Sequence, residues 1–203
     1  PILDNQAIAV APSGDTVAML GAPAAGAPGA TQVYTRRLAA DALVPMAGTV
    51  DAEGLAFSPD GQWLAYTRDA RLWKRALSGG APVDLAPASA GTRGVTWLGA
   101  GRVVFAPTWF SNLEVVAATG GAPAALTHLR PGEKSHRFPH ALPDGRTVLF
   151  VTGTSTLASF DDATIEAVDV VTGARKPITT GGAPRFLAPA TLLVPRAGQL
   201  LAL

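Results

Sequence analysis

One short pattern occurs four times along the 203-residue chain, and this repetition limits the possible folds more than any other feature. Its copies are LAFSPDGQWLAYT (55–67), VTWLGAGRVVFAP (95–107), HALPDGRTVLFVT (140–152) and the weaker IAVAPSGDTVAML (8–20). The turn glycines of the copies are 47, 40 and 44 residues apart, at Gly14, Gly61, Gly101 and Gly145. A period of this length is typical of arrays in which each copy is one supersecondary unit.

A second pattern follows each copy of the first. Its members are LWKRALSGGAPVDLA (72–86), LEVVAATGGAPAALT (113–127), IEAVDVVTGARKPIT (165–179) and the degraded VYTRRLAADALVPMA (33–47). Two independent patterns that share one period indicate a structural repeat rather than a chance similarity.

The residues inside each repeat predict short antiparallel strands. QWLAYT and RTVLFVT are rich in β-branched and aromatic residues, and the turn residues Pro, Asp and Gly precede such runs. Each repeat therefore holds about four strands in roughly 40–45 residues, which is the size of a propeller blade. A β-sandwich is the alternative, but the regular period favours an all-β propeller of four-stranded antiparallel blades.

We predict a single β-propeller segment over residues 1–203. Its blades are expected at about 1–50, 51–90, 91–131 and 132–180, with a partial fifth at 181–203 that stops before its outer strands. Four complete blades and a partial fifth would leave an incomplete ring with an open edge. We therefore expect a portion of a longer propeller or a ring that closes through another chain, and open edges of this kind could pair to form a homo-oligomer.

Composition excludes several classes of function. The formal net charge is +1, with 16 Lys+Arg and 15 Asp+Glu, so no basic surplus favours nucleic acid as a partner. The chain has no cysteine and no run of about 18 apolar residues, so neither a thiol metal site nor direct membrane insertion is expected. No cofactor is expected either, because no motif for one is present.

The chain resembles TolB-like, WD-repeat-like bacterial propellers, and most closely those attached to the C-terminal side of bacterial serine/threonine protein kinases. The resemblance covers about residues 4–203. The matching segments are FSPDGQWLAYTRDARLWKRALSGGAPVDLA, RVVFAPTWFSNLEVVAATGGAPAALT, GEKSHRFPHALPDGRTVLFV, SFDDA and RAGQLLAL.

The resemblance implies a non-catalytic scaffold, the sensor or interaction region of a receptor-type kinase on the extracytoplasmic side of the cell envelope. Its partner would be a protein, a peptide or an envelope ligand. The chain contains none of the kinase catalytic motifs, so kinase activity is not expected of it. The alternatives are an accessory propeller that gates access to a prolyl-oligopeptidase-like hydrolase, a self-assembling partial propeller, and a cytoplasmic location.

The three histidines fall in one stretch, THLRPGEKSHRFPH (127–140). His136 and His140 are four residues apart, but the two prolines of the stretch argue against a helix that would align them as zinc ligands. Two interpretations stay open for His136, Arg137 and His140. They either bond backbone carbonyls in a loop between blades, or they contact a ligand at the mouth of the propeller.

Two other segments differ between the repeats and are candidate binding loops. Trp109 and Phe110, in PTWFSN, are adjacent aromatic residues in a predicted loop, where they either pack under the neighbouring insertion or form a binding surface. Asp161 and Asp162 lie in the inserted SFDDA turn. Two adjacent carboxylates fall short of the six to eight oxygens of a calcium site, so a capped turn is the simpler interpretation.

Overall fold

The computed structural model describes residues 7–23, 30–89 and 91–203. These residues form nineteen strands in five small sheets, each an antiparallel meander in sequence order. The strands are β1 (Ile8–Val10), β2 (Thr16–Gly21), β3 (Gln32–Arg37) and β4 (Val44–Pro45) in blade one; β5 (Glu53–Phe57), β6 (Trp63–Arg68), β7 (Arg71–Ala76) and β8 (Val83–Pro87) in blade two; β9 (Val95–Leu98), β10 (Arg102–Phe105), β11 (Glu114–Ala117) and β12 (Ala124–Ala125) in blade three; β13 (Glu133–Ala141), β14 (Thr147–Thr154), β15 (Thr164–Asp169) and β16 (Arg175–Thr180) in blade four; and β17 (Arg185–Leu187), β18 (Thr191–Arg196) and β19 (Gln199–Ala202) in blade five.

The prediction of an all-β propeller is confirmed, and its fifth unit needs a correction. We expected four complete blades and a partial fifth that stops before its outer strands, but blade five has three strands. The reason is a two-residue turn at Ala197 and Gly198, with φ of +50° and +74°. Such a turn matches the twist of a hairpin, so RAGQLLAL returns along β18 as a third strand.

The recurring pattern of the sequence is a turn, as predicted. Within SPDG, the carboxylate of Asp60 accepts the Ser58 hydroxyl and the backbone N–H of Gln62, the latter at 3.0 Å. Gly61 follows with a φ of +69°, a conformation that glycine adopts without a steric penalty. The turn residues are therefore consumed by their own hydrogen bonds, and the repeated motif serves the architecture.

Connections alternate between two faces of the propeller because neighbouring strands in a blade are antiparallel. The tight turn between the first and second strands lies on one face, which we call the turn face. The connection between the second and third strands and the link to the next blade lie on the opposite face, which we call the loop face. The inner strands β1, β5, β9 and β13 contact one another in series, so each blade presents its loops in the same direction.

Four hydrophobic cores lie between neighbouring blades, and alternate residues of one strand enter different cores. In β6, Leu64 joins the core between blades one and two, whereas Ala65 joins the core between blades two and three. In β10, Phe105 faces blade two and Val104 faces blade four. Strands buried on both faces explain why the repeats contain near-continuous apolar runs. Over the described ranges, no helical segment has the length and hydrophobicity that a membrane crossing requires.

We predict that Phe105→Ala lowers the free energy of unfolding by about 3–5 kcal/mol, because the fully buried ring fills the core between two blades. Urea unfolding followed by tryptophan fluorescence measures the change. Val171→Ala, at a side chain that is 75% exposed, is the control and leaves the midpoint in place. Equal midpoints for the two variants would contradict this view of the core.

Candidate functional site

Three segments that differ between the repeats meet on the loop face of blades three and four. Residues 106–113 connect β10 to β11 and carry Trp109 and Phe110. Residues 155–163 connect β14 to β15 and include a 3₁₀ helix, Phe160–Asp162. Arg137, on β13, lies between them. Sequence alone gave no distance between these segments, and the fold brings them together.

A cleft of about 650 Å³, which we call the aromatic groove, runs between these segments. Its walls combine two aromatic rings, one leucine, two cations and small polar residues: Phe110, Phe160, Leu157, Lys134, Arg137, Ser135, Gly153, Thr154 and Ser155. The Phe110 ring is 72% exposed. An exposed aromatic ring beside a concave apolar surface is typical of a recognition site.

Trp109 is held in place next to the groove by close contacts on several sides. A Cβ built on Gly91 would lie 1.4 Å from the Trp109 Nε1, so the indole rests directly on the backbone between blades two and three. The guanidinium of Arg93 stacks on the indole, 3.7 Å from the ring centroid. Trp109 is still 48% exposed. It therefore presents a fixed aromatic surface whose binding costs little conformational entropy.

Arg137 joins the two loops across the groove. Its Nη2 donates to the Trp109 carbonyl at 2.9 Å, and its Nε donates to the Ser135 hydroxyl at 2.8 Å. Its guanidinium also lies over the Phe160 ring, 4.7 Å from the centroid. The direction of this cation is therefore set by β13 and by both loops.

The backbone of β13 is unusual beside Arg137. Phe138 has a φ of +52°, which is rare for a bulky residue, and the register with β14 shifts between Arg137 and His140. The conformation is held by the Phe138 N–H, which donates to the Arg93 carbonyl at 2.7 Å, and by an edge-to-face contact between Phe138 and Phe160 at 6.0 Å. The shift separates Arg137, which lines the groove, from His140, which faces the channel.

A buried ionic network lies behind the groove and involves all four strands of blade four. Arg175 of β16 has a side chain that is only 4% exposed, and its guanidinium donates two hydrogen bonds to each of two carboxylates. It reaches Glu133 of β13 at 2.6 and 3.0 Å and Glu166 of β15 at 2.6 and 3.1 Å. The hydroxyl of Thr152, on β14, donates to Glu166 at 2.7 Å. Paired in this way, the buried charges satisfy one another.

His136 belongs to this network and is fully buried. Its Nε2 lies 3.1 Å from the Glu133 carboxylate, and its Nδ1 lies 2.8 Å from the Thr127 hydroxyl of blade three. The network assigns the tautomer: Nε2–H donates to Glu133, and Nδ1 accepts from Thr127, whose oxygen accepts the Leu113 N–H. Burial lowers the pKa of His136, and the charge of Arg175 lowers it further, so the ring is neutral at pH 7.

His140 lies in a different environment, the central channel. This cavity of about 420 Å³ is lined by the inner strands of all five blades, and Arg185 lies on the same wall. Burial lowers the pKa of His140 to about 4, with a further contribution from the charge of Arg185. His128 is exposed on the link between blades three and four. The three histidines therefore do not form one site, and within the described ranges no cluster of His, Asp and Glu is placed to hold a metal ion.

Asp161 and Asp162 lie in the 3₁₀ helix next to Phe160. The Ser159 hydroxyl caps this helix by accepting the Asp161 N–H at 3.1 Å, as expected of a capped turn. Neither carboxylate lines the aromatic groove, and Asp162 lines an adjacent cleft of about 360 Å³. The insertion thus contributes Leu157 and Phe160 to the groove rather than its acidic residues.

Sequence reasoning missed five residues on which this site depends: Gly91, Arg93, Glu133, Glu166 and Arg175. One signal was available. Glu166 lies between the apolar residues Ile165 and Ala167 of a predicted strand. A charged side chain in a buried strand needs a partner that compensates its charge. The partner itself, and the stacking of Arg93 on the Trp109 ring sixteen residues further along the chain, depend on contacts between separate segments.

No protein-family profile matches the sequence, and no curated protein sequence matches it. Solved structures do match. TolB from Acinetobacter baumannii superposes with a TM-score of 0.75 at 14% identity, over 100% of this chain and 51% of that one. A protein described as TolB from Agrobacterium tumefaciens gives 0.72 at 18% identity, over 88% and 66%. The Cps50 (Swd1) β-propeller domain of Myceliophteria thermophila gives 0.66 at 14% identity, over 93% and 62%.

These comparisons confirm the TolB-like and WD40-like architecture of the propeller. Identities of 14–18% show the fold alone. The chain spans between half and two thirds of the length of these structures.

We predict that Arg175→Met lowers the free energy of unfolding by about 3–5 kcal/mol, because Glu133 and Glu166 would remain buried without their shared cation. The triple variant that adds Glu133→Gln and Glu166→Gln removes the carboxylate charges that Arg175 no longer neutralises, and it recovers part of this loss. Urea unfolding at pH 7 compares the two. A triple variant less stable than Arg175→Met would show that the carboxylates do not depend on Arg175.

The stability provided by Glu133 should decrease in acid. Burial alone would raise the pKa of its carboxyl, but hydrogen bonds from Arg175, the Arg130 backbone and His136 lower it from 4.5 to about 2. A carboxylate with a lowered pKa stabilises the fold fully above its unfolded value and progressively less between pH 4.5 and 2. We therefore expect the difference in unfolding free energy between wild type and Glu133→Gln to shrink as pH falls below 4.5.

Urea titrations from pH 7 to pH 3 measure this difference. Val171→Ala, at an exposed side chain without a titratable group, is the control and shows no comparable change. A difference for Glu133→Gln that stays constant over the whole range would exclude an ionised Glu133 in the folded state.

Proposed function

We propose that this chain is a non-catalytic propeller scaffold that binds a protein partner in the aromatic groove. The observation that carries the proposal is the Phe110 ring, which is 72% exposed at the edge of a concave apolar surface. Trp109 and Arg137 on either side are fixed by stacking and hydrogen bonds. Rigid aromatic and arginine residues in a cleft are the side chains that dominate binding energy at protein interfaces.

The contacts of His136 argue against a hydrolase-like catalytic role for this residue and its partners. Thr127, His136 and Glu133 are connected in the order hydroxyl, imidazole and carboxylate, which superficially resembles a hydrolase triad. Thr127 is only 2% exposed, and its oxygen already accepts the Leu113 N–H. Glu133 is bidentate to Arg175. A substrate carbonyl could not approach this hydroxyl, so the arrangement acts as a structural link between blades three and four.

We further propose that the propeller is the sensor region of a membrane-anchored bacterial serine/threonine kinase, outside the cytoplasm. The support is the order of the matching segments, from FSPDGQWLAY to RAGQLLAL. Sequencing the coding region on both sides of this segment tests the assignment. A kinase domain and an apolar span upstream are expected, and a hydrolase domain downstream would contradict it.

Selection from a display library of random peptides tests the binding function. Peptides enriched on the wild-type chain should bind Phe110→Ala at least about tenfold more weakly, since truncation of an interface aromatic commonly costs 2 kcal/mol or more. Val171→Ala is the matched control, an exposed apolar residue outside the groove, and should bind the peptides as the wild type does. Peptides that bind wild type and Phe110→Ala equally, or no enrichment at all, would exclude the groove as the binding site.

A further inference from the structure

We propose that the aromatic groove recognises an extended peptide segment in which an acidic side chain is two residues away from an aromatic or branched aliphatic one. This inference rests on the proposed function and adds the chemistry of the partner. It follows from the charges, the apolar surface and the size of the groove.

The charge of the groove has one sign. Lys134 and Arg137 line it, and none of its lining residues is acidic. The nearest carboxylate along β13, Glu133, faces away into the network, where Arg175 is bidentate to it. Asp162 lines the adjacent cleft. A ligand carboxylate would therefore meet two cations in a wall whose described lining residues include no carboxylate.

The cations and the rings lie close together in the groove, so the acidic and apolar side chains of the peptide must also be close together. Arg137 lies over the Phe160 ring at 4.7 Å, and Phe110 lines the same groove. Side chains two residues apart lie on the same face of an extended peptide. A carboxylate that meets Arg137 or Lys134 therefore allows the side chain two residues away to lie against Phe110, Leu157 or Phe160. A peptide with one acidic and one apolar side chain can contact both the cations and the rings. A peptide with acidic side chains at both positions would leave the rings exposed to water.

The dimensions favour a short peptide over the alternatives. A cleft of about 650 Å³ accommodates a few side chains, and Thr154 and Ser155 place hydroxyl and backbone groups on its wall for the peptide backbone. A single-stranded nucleic acid also combines negative charge with flat rings, but it needs a continuous positive track along its backbone. Two lining cations and a chain with a net charge of +1 do not provide such a track.

The peptides from the display selection test the inference by their composition and their dependence on Lys134. Those that need Phe110 should contain Asp or Glu two residues away from Phe, Tyr, Trp, Leu or Ile. Lys134→Glu should weaken the tightest of them by roughly five- to tenfold, because a cation in the groove becomes a like charge. The same peptide with its acidic residues changed to lysine should bind Lys134→Glu more tightly than it binds the wild type. Fluorescence polarisation of the labelled peptides measures both affinities.

Lys176→Glu is the matched control. Lys176 is an exposed lysine on the outer strand β16, so its reversal changes the net charge equally without touching the groove. It should leave the affinity of the acidic peptide unchanged.

The possible outcomes separate the two proposals. Phe110-dependent peptides that are neutral or basic, or an acidic peptide that binds Lys134→Glu as well as wild type, would overturn the acidic recognition and leave the binding function intact. Binding of a short oligothymidylate that is tighter than peptide binding and depends on Phe110 would also overturn it. A selection without any Phe110-dependent peptide would overturn the binding function itself, and the acidic recognition with it.

Discussion

Burial of the middle blades on both faces is the constraint on which the structure depends. Successive residues of one strand enter different cores, so Leu64 and Ala65 belong to separate blade interfaces. Few residues of such a strand can be substituted, because the side chains on each of its two faces belong to a packed interface. Variation is therefore easiest in the connections, and connections on the loop face supply Phe110, Leu157 and Phe160 of the aromatic groove, while β13 and β14 supply its cations and most of its small residues.

Strand β13 contributes both to buried contacts and to the groove. Glu133 and His136 enter the buried network, while Lys134 and Arg137 line the groove. The positive φ of Phe138 then redirects the strand towards the channel. The network fixes the backbone that carries Lys134 and Arg137, and hydrogen bonds also hold the Arg137 guanidinium. This cation is therefore in place before any ligand arrives, which reduces the entropic cost of binding.

The repeat predicted the architecture because turns and strand periodicity are local properties of the sequence. It predicted short antiparallel strands in repeated small sheets, identified Asp60 and Gly61 as turn residues, and singled out the loop of Trp109 and Phe110 because it differs between the copies. It did not predict the hairpin at Ala197, where an alanine adopts a conformation more usual for glycine or asparagine. Nor did it predict that Arg175 would join Glu133 to Glu166, because that network depends on long-range contacts set by strand register rather than by any local pattern.

The placement of the groove across the junction of two blades has a mechanical consequence. In an array whose units contact only their neighbours, each interface between units can open separately. The least stable interface therefore limits how cooperatively the array unfolds. Phe110 belongs to blade three and Phe160 to blade four, so an occupant of the groove holds two units together at once. A bound ligand would then connect the two blades, and its free energy of binding would add to the free energy that is needed to separate blades three and four.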